Sequence, residues 1–362
     1  MKRLTPAQLV GDPLSRRQFL KAAGGLGLTA AGIGLLQACG ANPASPTATA
    51  AKLEMTTIRL TETISICAAP IYVAEDFLKA EGFTNIQYVK AVGPGLTVDT
   101  LANGTSDLTV QFSGPSILYV DAGKPITMLA GIHVGCFELF GTAGITNIGD
   151  LKGRSVGISQ LGGVDHVFMS SMLANVGLNP NTDVNWITLT LDQRMQLFAA
   201  NKIDALLAFP PQVQELRAQN IGHAVVNSMM DAPWSQYFCC MATFSQDFVR
   251  KNPVATKAAL RALLNATDAT ALHPEQAAKL MVDKGYATNY DYALQAMKDI
   301  PYNRWRQYNP EDTIRFYSLL LHGVGMVKNT PDEIIQQGTD WRFLNELKTE
   351  MPALPTPQAS SS

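Results

Sequence analysis

The chain has 362 residues, 46% hydrophobic and 16% charged, with a formal net charge of −2. That length and composition specify a globular protein with room for two ordinary domains and exclude a disordered one. The first 38 residues hold five basic side chains and one acid, leaving 23 basic against 29 acidic, and so mildly acidic a body excludes nucleic acid as partner, because phosphate recognition needs clustered Lys and Arg.

The N-terminus pairs a basic segment with an apolar run over residues 22–36 that contains five glycines. The run is shorter than the roughly 20 apolar residues of a membrane span, and no comparable uncharged stretch follows, so it reads as a targeting segment. Arg16 and Arg17, within Ser15-Arg16-Arg17-Gln18-Phe19-Leu20-Lys21, resemble the twin-arginine export motif. Leu36-Gln37-Ala38-Cys39 resembles a lipobox. These resemblances imply a signal over residues 1–38, acylation of Cys39, and an extracytoplasmic protein held to the cell membrane by lipid. They also imply export in the folded state, as the twin-arginine route carries folded chains. Residues 39–55, including the uncharged "ANPASPTATAA", are expected to be a flexible tether.

From Thr56 to Glu62, Ile58 and Leu60 alternate with polar neighbours, which predicts a strand. The loop "TISICAAP", a helix over "IYVAEDFLKAEG" stopped by Gly82, and the strand "NIQYVKAV" follow. Strand, helix and strand of this size imply parallel pairing with crossover helices. An internal echo predicts two lobes. "LANGTSD" leads to a strand ending at Phe112 and "FAANKID" to one ending at Phe209; each places an aspartate five residues before the phenylalanine and a Gly or Pro turn after it. "DLKGRSVGISQLGG", "VDHVFMSSMLANVG" and "NWITLT" supply the second lobe's turn, strand, helix and strand, and "WSQYFCCMATF" returns the chain. The remainder reads as helices packed on the first lobe. The expected division is 56–140 plus 239–350 for lobe one and 141–238 for lobe two, with a disordered tail over 351–362.

The order "LANGTSDL", "GKPI", "DLKGRSVGIS", "NKIDALLAF", then a helical end, resembles ABC-importer solute-binding proteins of the SsuA/THI5-like group, over residues 57–348. The resemblance implies an α/β, two-lobed periplasmic-binding-protein fold of type II with a cleft that closes on a small-molecule solute, and an ABC permease with its ATPase as partners. A binding protein of this kind requires no catalysis and no cofactor; the alternative that the same resemblance carries is a THI5-like thiamine-pyrimidine synthase. The eukaryotic THI5-like enzymes carry a longer cysteine cluster; here there are two cysteines followed by Met241, a departure that argues against synthase chemistry. A sensor that reports to a membrane kinase would share the same sequence features.

In open α/β sheets ligands sit beyond the C-terminal strand ends. Those ends offer Glu62, Cys67 and Tyr72, then Phe112 and Ser113, in lobe one; Gln160, Gly162, Gly163, Asp165 and Phe209 in lobe two; and Trp234 and Tyr237 at the return. They contain aromatic faces and two acids but no lysine or arginine. A nitrate or sulfonate needs strong donors, often arginine, although a helix N-terminus at Gly162-Gly163 offers an alternative. The composition therefore points to a planar heteroaromatic solute, a thiamine pyrimidine or a riboflavin-type vitamin, with oxyanions as the alternative. Trp234→Ala and Phe112→Ala are expected to weaken binding without unfolding the protein. Beyond Cys39, Cys67, Cys136, Cys239 and Cys240 show no zinc spacing, and neighbouring Cys239 and Cys240 are expected on opposite faces of a strand. They read as small buried apolar residues, with no metal.

Overall fold

The computed structural model describes residues 52–63, 65–91 and 97–352. The arginine pair, Cys39, the tether to residue 51 and the tail from residue 353 lie outside the described residues.

The chain opens with β1 (Thr57–Glu62), a 3-10 turn (Ile66–Ala68), α1 (Pro70–Ala80), β2 (Asn85–Lys90), α2 (Thr97–Ala102), β3 (Leu108–Phe112), α3 (Ser113–Asp121) and β4 (Ile126–Val134). As the alternation predicts, Ile58 and Leu60 are fully buried. Gly82 ends the first helix at φ +106°, a conformation that a β-carbon disfavours. The second set is β5 (Glu138–Gly141), a 3-10 turn (Ile148–Leu151), β6 (Ser155–Ile158), α4 (Val164–Asn175), β7 (Asn185–Thr188), α5 (Leu191–Ala199), β8 (Ala205–Ala208), α6 (Gln212–Ala218) and β9 (His223–Asn227). A 3-10 turn (Trp234–Gln236) and β10 (Phe238–Ser245) then bring the chain back.

Two five-stranded sheets result, ordered β2-β1-β3-β10-β4 and β7-β6-β8-β5-β9. They share one topology. Each is built of parallel strands except for one antiparallel strand in the fourth place, and that strand is the first to enter the sheet after a crossing: β5 going out, β10 coming back. Because β5 already pairs with β8 and β9, the first crossing lies at residues 135–137, a few residues earlier than the boundary at 141 expected from sequence.

The sequence echo occupies equivalent places. Asp107 opens β3 and Asp204 precedes β8, the third strand of each sheet. The amide of Asp107 donates to the Arg59 carbonyl at 2.8 Å while its carboxylate accepts from the Arg59 amide at 2.8 Å. Asp204 makes the same two bonds with Ser155, each at 2.8 Å. The aspartate is repeated because it clips the neighbouring parallel strand at its open end, with both backbone groups satisfied.

The C-terminal helices are α7 (Gln246–Lys251), α8 (Pro253–Leu272), α9 (Pro274–Asp283), α10 (Tyr290–Asp299), α11 (Pro310–Gly323), α12 (Pro331–Gly338) and α13 (Arg342–Glu350), with a 3-10 turn (Tyr302–Arg304) after α10. An alanine-rich face of α8 lies along α1. These helices do not pack on the first sheet's layer alone, as expected from sequence. α11 touches both α3 and α4, and α10 touches α6. The cause is aromatic: Phe316 and Tyr317 of α11 reach rings contributed by both halves. Among the described residues no helix is long and apolar enough to cross a membrane.

Candidate functional site

The C-terminal strand ends of the two sheets converge at the crossings. The two echoed phenylalanines meet on one residue there: Phe112, ending β3, and Phe209, following β8, both set an edge against Phe137 in the first crossing, at 5.6 and 6.2 Å between centroids. Phe112 also packs edge-on against Phe168 at 5.0 Å and Tyr317 at 5.2 Å, and it is only 2% exposed. Trp234, also 2% exposed, packs on Phe168 and Phe316, and Tyr237 stacks flat on Phe316 at 3.9 Å. Phe112 and Trp234 are therefore parts of an aromatic core joining the halves, which corrects the expectation that their loss leaves folding intact. Phe137, Phe168, Phe316 and Tyr317 escaped the sequence reading; each sits in an ordinary apolar run or helix face.

Immediately behind these rings, at equivalent helix starts, lie Ser113 and Gln212. The Ser113 hydroxyl and the Gln212 amide oxygen are buried and have no hydrogen-bond partner among the described residues. Buried polar atoms nearly always have partners, so each of these two, at matched strand ends, retains capacity for a further hydrogen bond. Gln212 was reached by the sequence reading only as a loop terminus. Phe209 is half-buried.

Other expected site residues have internal duties. The Asp165 carboxylate is buried and takes bonds from the Ser159 amide at 2.7 Å, the Ser159 hydroxyl at 2.7 Å, the His166 amide at 2.9 Å and Arg194 at 2.5 Å. It holds the strand-to-helix turn together and is not open to a solute amine. The Gly162 amide donates to Nδ1 of His166 at 3.0 Å, and burial holds that imidazole below its ordinary pKa. Gln160 is half-buried, Gly162 is half-buried and Gly163 is buried on this turn. The Tyr72 hydroxyl is bonded to the Thr63 backbone in both directions, and its ring stacks on Tyr286 at 4.2 Å; burial pushes its pKa up. Glu62 accepts from the Tyr286 hydroxyl at 3.1 Å. Nearby, Arg217 pairs with the buried Glu138 at 2.5 Å, whose pKa burial raises against the pull of that guanidinium. Arg194 and Arg217 are thus already matched to acids.

Two cavities of 320 and 340 Å³ lie elsewhere, one between α4 and α11 beside Gly177 and Leu320, the other beside Arg306 and Trp341.

The cysteines depart most from expectation. Cys67, Cys136, Cys239 and Cys240 are all buried, as read from sequence, but they gather in one place. The β10 register slips against β4 between Phe238 and Cys240, so a bulge at Cys239 breaks the alternation and lets both neighbouring thiols approach, 4.0 Å apart. Cys239 Sγ also lies 3.0 Å from Cys136 Sγ. Cys67, Cys136, Cys240 and His133 place ligand-capable atoms within 4.8 Å of one another. Bonds from the Cys136, Cys239 and Cys67 thiols hold the Cys240 pKa well below its usual value, while burial pushes Cys136 and Cys239 well up. Burial opposes charge on His133, but the Cys240 thiolate beside it outweighs that and raises its pKa to about 10.

Comparison with known proteins completes the description. Residues 66–277 match the family described as NMT1/THI5 like, and residues 13–32 match the signal sequence of the twin-arginine translocation pathway. The nitrate/nitrite binding protein NrtA of a Nostoc species is 26% identical over 278 residues, covering 69% of this chain and 63% of that protein, just under two thirds of its length. The crystal structure of the periplasmic nitrate-binding protein NrtA from Synechocystis superposes with a TM-score of 0.69 at 16% identity, over 83% of this chain and 90% of that one. The alkanesulfonate-binding protein SsuA from Xanthomonas axonopodis, bound to MOPS, gives 0.62 at 15% identity, over 79% and 99%. These likenesses show the fold: two α/β lobes of periplasmic-binding-protein type.

Proposed function

The chain belongs to the NMT1/THI5-like family, and from that premise we propose that it is an exported receptor which closes its two lobes over a small solute and delivers it to the permease and ATPase of an ABC importer. Acylation of Cys39 would hold it at the membrane surface, with residues 39–55 as the leash. The observation that supports the reading is the pair of matched strand ends, where the half-buried Phe209 offers a ring, and Ser113 from one half and Gln212 from the other each hold a buried polar atom with no partner among the described residues. Closure needs only differential affinity for the closed form, and the two crossings at residues 135–137 and 228–237 give the halves an axis to move about.

The same observation supports one solute class. Rings and neutral hydrogen-bonding groups suit a planar, uncharged heteroaromatic solute, of thiamine-pyrimidine or riboflavin type, bound without turnover. A second reading, an oxyanion held by helix N-terminal amides, is favoured by the nitrate-binding and sulfonate-binding names of the similar proteins. A thermal-shift screen over an aminopyrimidine, riboflavin, nitrate and an alkanesulfonate separates them. A solute at 100 times its Kd adds about 2.7 kcal/mol and raises Tm by roughly 4 °C. A shift with the heteroaromatic probes supports the first reading. A shift with nitrate or sulfonate alone replaces it with the second.

A further inference from the structure

The solute reading leaves a cluster at the hinge unused. Cys67 follows β1, His133 lies near the end of β4, Cys136 lies in the first crossing, and Cys240 lies just past the bulge where the chain returns. Their ligand atoms lie within 4.8 Å of one another and all four residues are buried. Around a tetrahedral zinc ion, with bonds of 2.0–2.3 Å, ligand atoms sit about 3.5–3.8 Å apart, so each side chain need close in by no more than about 1 Å.

The second observation is the histidine. Nδ1 of His133 lies 2.8 Å from the Gly135 carbonyl, and a carbonyl only accepts, so Nδ1 carries the proton. In the neutral ring the lone pair is then on Nε2, which is buried and has no hydrogen-bond partner among the described residues; a metal ion there would take the place of the second proton that the neighbouring Cys240 otherwise favours. A backbone carbonyl that fixes the tautomer of an imidazole whose other nitrogen is free is the usual outer-shell arrangement of a metal-bound histidine. Further support surrounds the ring and the first cysteine. Tyr302 packs edge-on against His133 at 5.2 Å and donates from its hydroxyl to the Cys67 carbonyl at 2.9 Å, and the Ser65 hydroxyl is 3.0 Å from Cys67 Sγ.

We propose that Cys67, His133, Cys136 and Cys240 bind one zinc ion in a closed, structural site that ties the first crossing and the returning strand to the first lobe, with the Cys239 thiol donating to the Cys136 sulfur. Three thiolates and one neutral imidazole are a donor set that zinc takes in structural sites. With every ligand buried, the ion enters as the chain folds, releasing the thiol protons, and it accompanies the folded chain through export.

The test uses the full chain carrying Cys39→Ala, which removes acylation and leaves four cysteines. Purified without chelator, it is expected to contain about one equivalent of zinc by mass spectrometry, retained through dialysis. Thiols should react with Ellman's reagent only after denaturation with chelator, and then all four. His133→Gln and Cys240→Ser should drop zinc below about a tenth of an equivalent, whereas Cys239→Ser keeps it. Should those variants fail to fold, the parent refolded with cobalt(II) gives the same reading: thiolate-to-cobalt charge transfer and tetrahedral ligand-field bands support the site, and an octahedral aquo spectrum overturns it. Zinc below a tenth of an equivalent with four free thiols, or a Cys136–Cys239 disulfide in the peptide map, also overturns it. Neither result touches the solute reading, which uses other residues.

Discussion

Phe112→Ala separates a ring locked into the interlobe core from a ring standing free in a cleft. The side chain is 2% exposed and packs edge-on against Phe137, Phe168 and Tyr317 at centroid distances of 5.0–5.6 Å. Removing a buried phenylalanine side chain costs about 3–5 kcal/mol through lost transfer energy and the cavity left behind. Three ring pairs, each contributing about 0.5–1.5 kcal/mol, place this site at the upper end. Spread over a chain of this size, that lowers Tm by roughly 6–8 °C. Phe209→Ala is the internal comparison: a half-buried ring with an edge contact to Phe137 at 6.2 Å, its loss should cost about 1–2 kcal/mol. Calorimetry and urea unfolding of both variants supply the numbers. If Phe112→Ala melts within about 2 °C of the parent while solute affinity collapses, the ring faces an open cleft and the packing argument is wrong.

Asp165→Ala strands the Arg194 guanidinium, itself 5% exposed, and should cost about 3–5 kcal/mol by urea unfolding, with most of it recovered when Arg194→Leu is added; an unchanged midpoint in the single variant would remove the pair from the stability argument. Bonds from Ser155, working against burial, leave the Asp204 carboxyl below its ordinary pKa of 3.8. A carboxyl lowered on folding stabilises above its unfolded value and loses that contribution as pH falls through its folded one. Asp204→Asn should therefore be about 1 kcal/mol less stable than the parent at neutral pH, with the gap closing below pH 3.8, and a gap independent of pH would contradict the clip. A β-carbon on Gly114 would meet Phe112 Cε1 at 2.6 Å and Val167 Cγ1 at 2.7 Å, so Gly114→Ala should wedge α3 from α4 and cost about 1–3 kcal/mol in the same unfolding assay.

Local rules reached the fold well. The period-two burial of β1, the stop at Gly82 and the repeated aspartate are all properties of short segments, and short segments are what a sequence displays. The return of β10 to the first sheet was read from sequence, but the transfer of β5 to the second sheet was out of reach for the same reason. A strand's partner is fixed by where the chain crosses, and residues 135–137 carry no local mark of a crossing beyond the left-handed Gly135 at φ +60°. α11 misled in a similar way: its apolar stripe says that it packs, and only the rings at the end of β3, on α4 and in the return crossing decide on what.

The candidate site was legible in its location and not in its chemistry. Strand ends led to Phe112, Ser113 and Phe209, yet whether a polar atom there is satisfied depends on neighbours far along the chain, and so Asp165 proved to be a clasp while Ser113 was left unpartnered. The thiols show the same limit more sharply. Spacing rules for zinc assume ligands carried on one loop or hairpin, whereas Cys67 and Cys240 stand on separate elements and meet only through the sheet. The opposite-face rule for Cys239 and Cys240 holds for a regular strand and fails at a bulge, where an extra residue resets the alternation. Since that bulge lies where the chain re-enters the first sheet, the irregularity that admits the return crossing is also what gathers the sulfurs. If the cluster holds an ion, the hinge and the metal site are one structural solution, and disturbing either should disturb both.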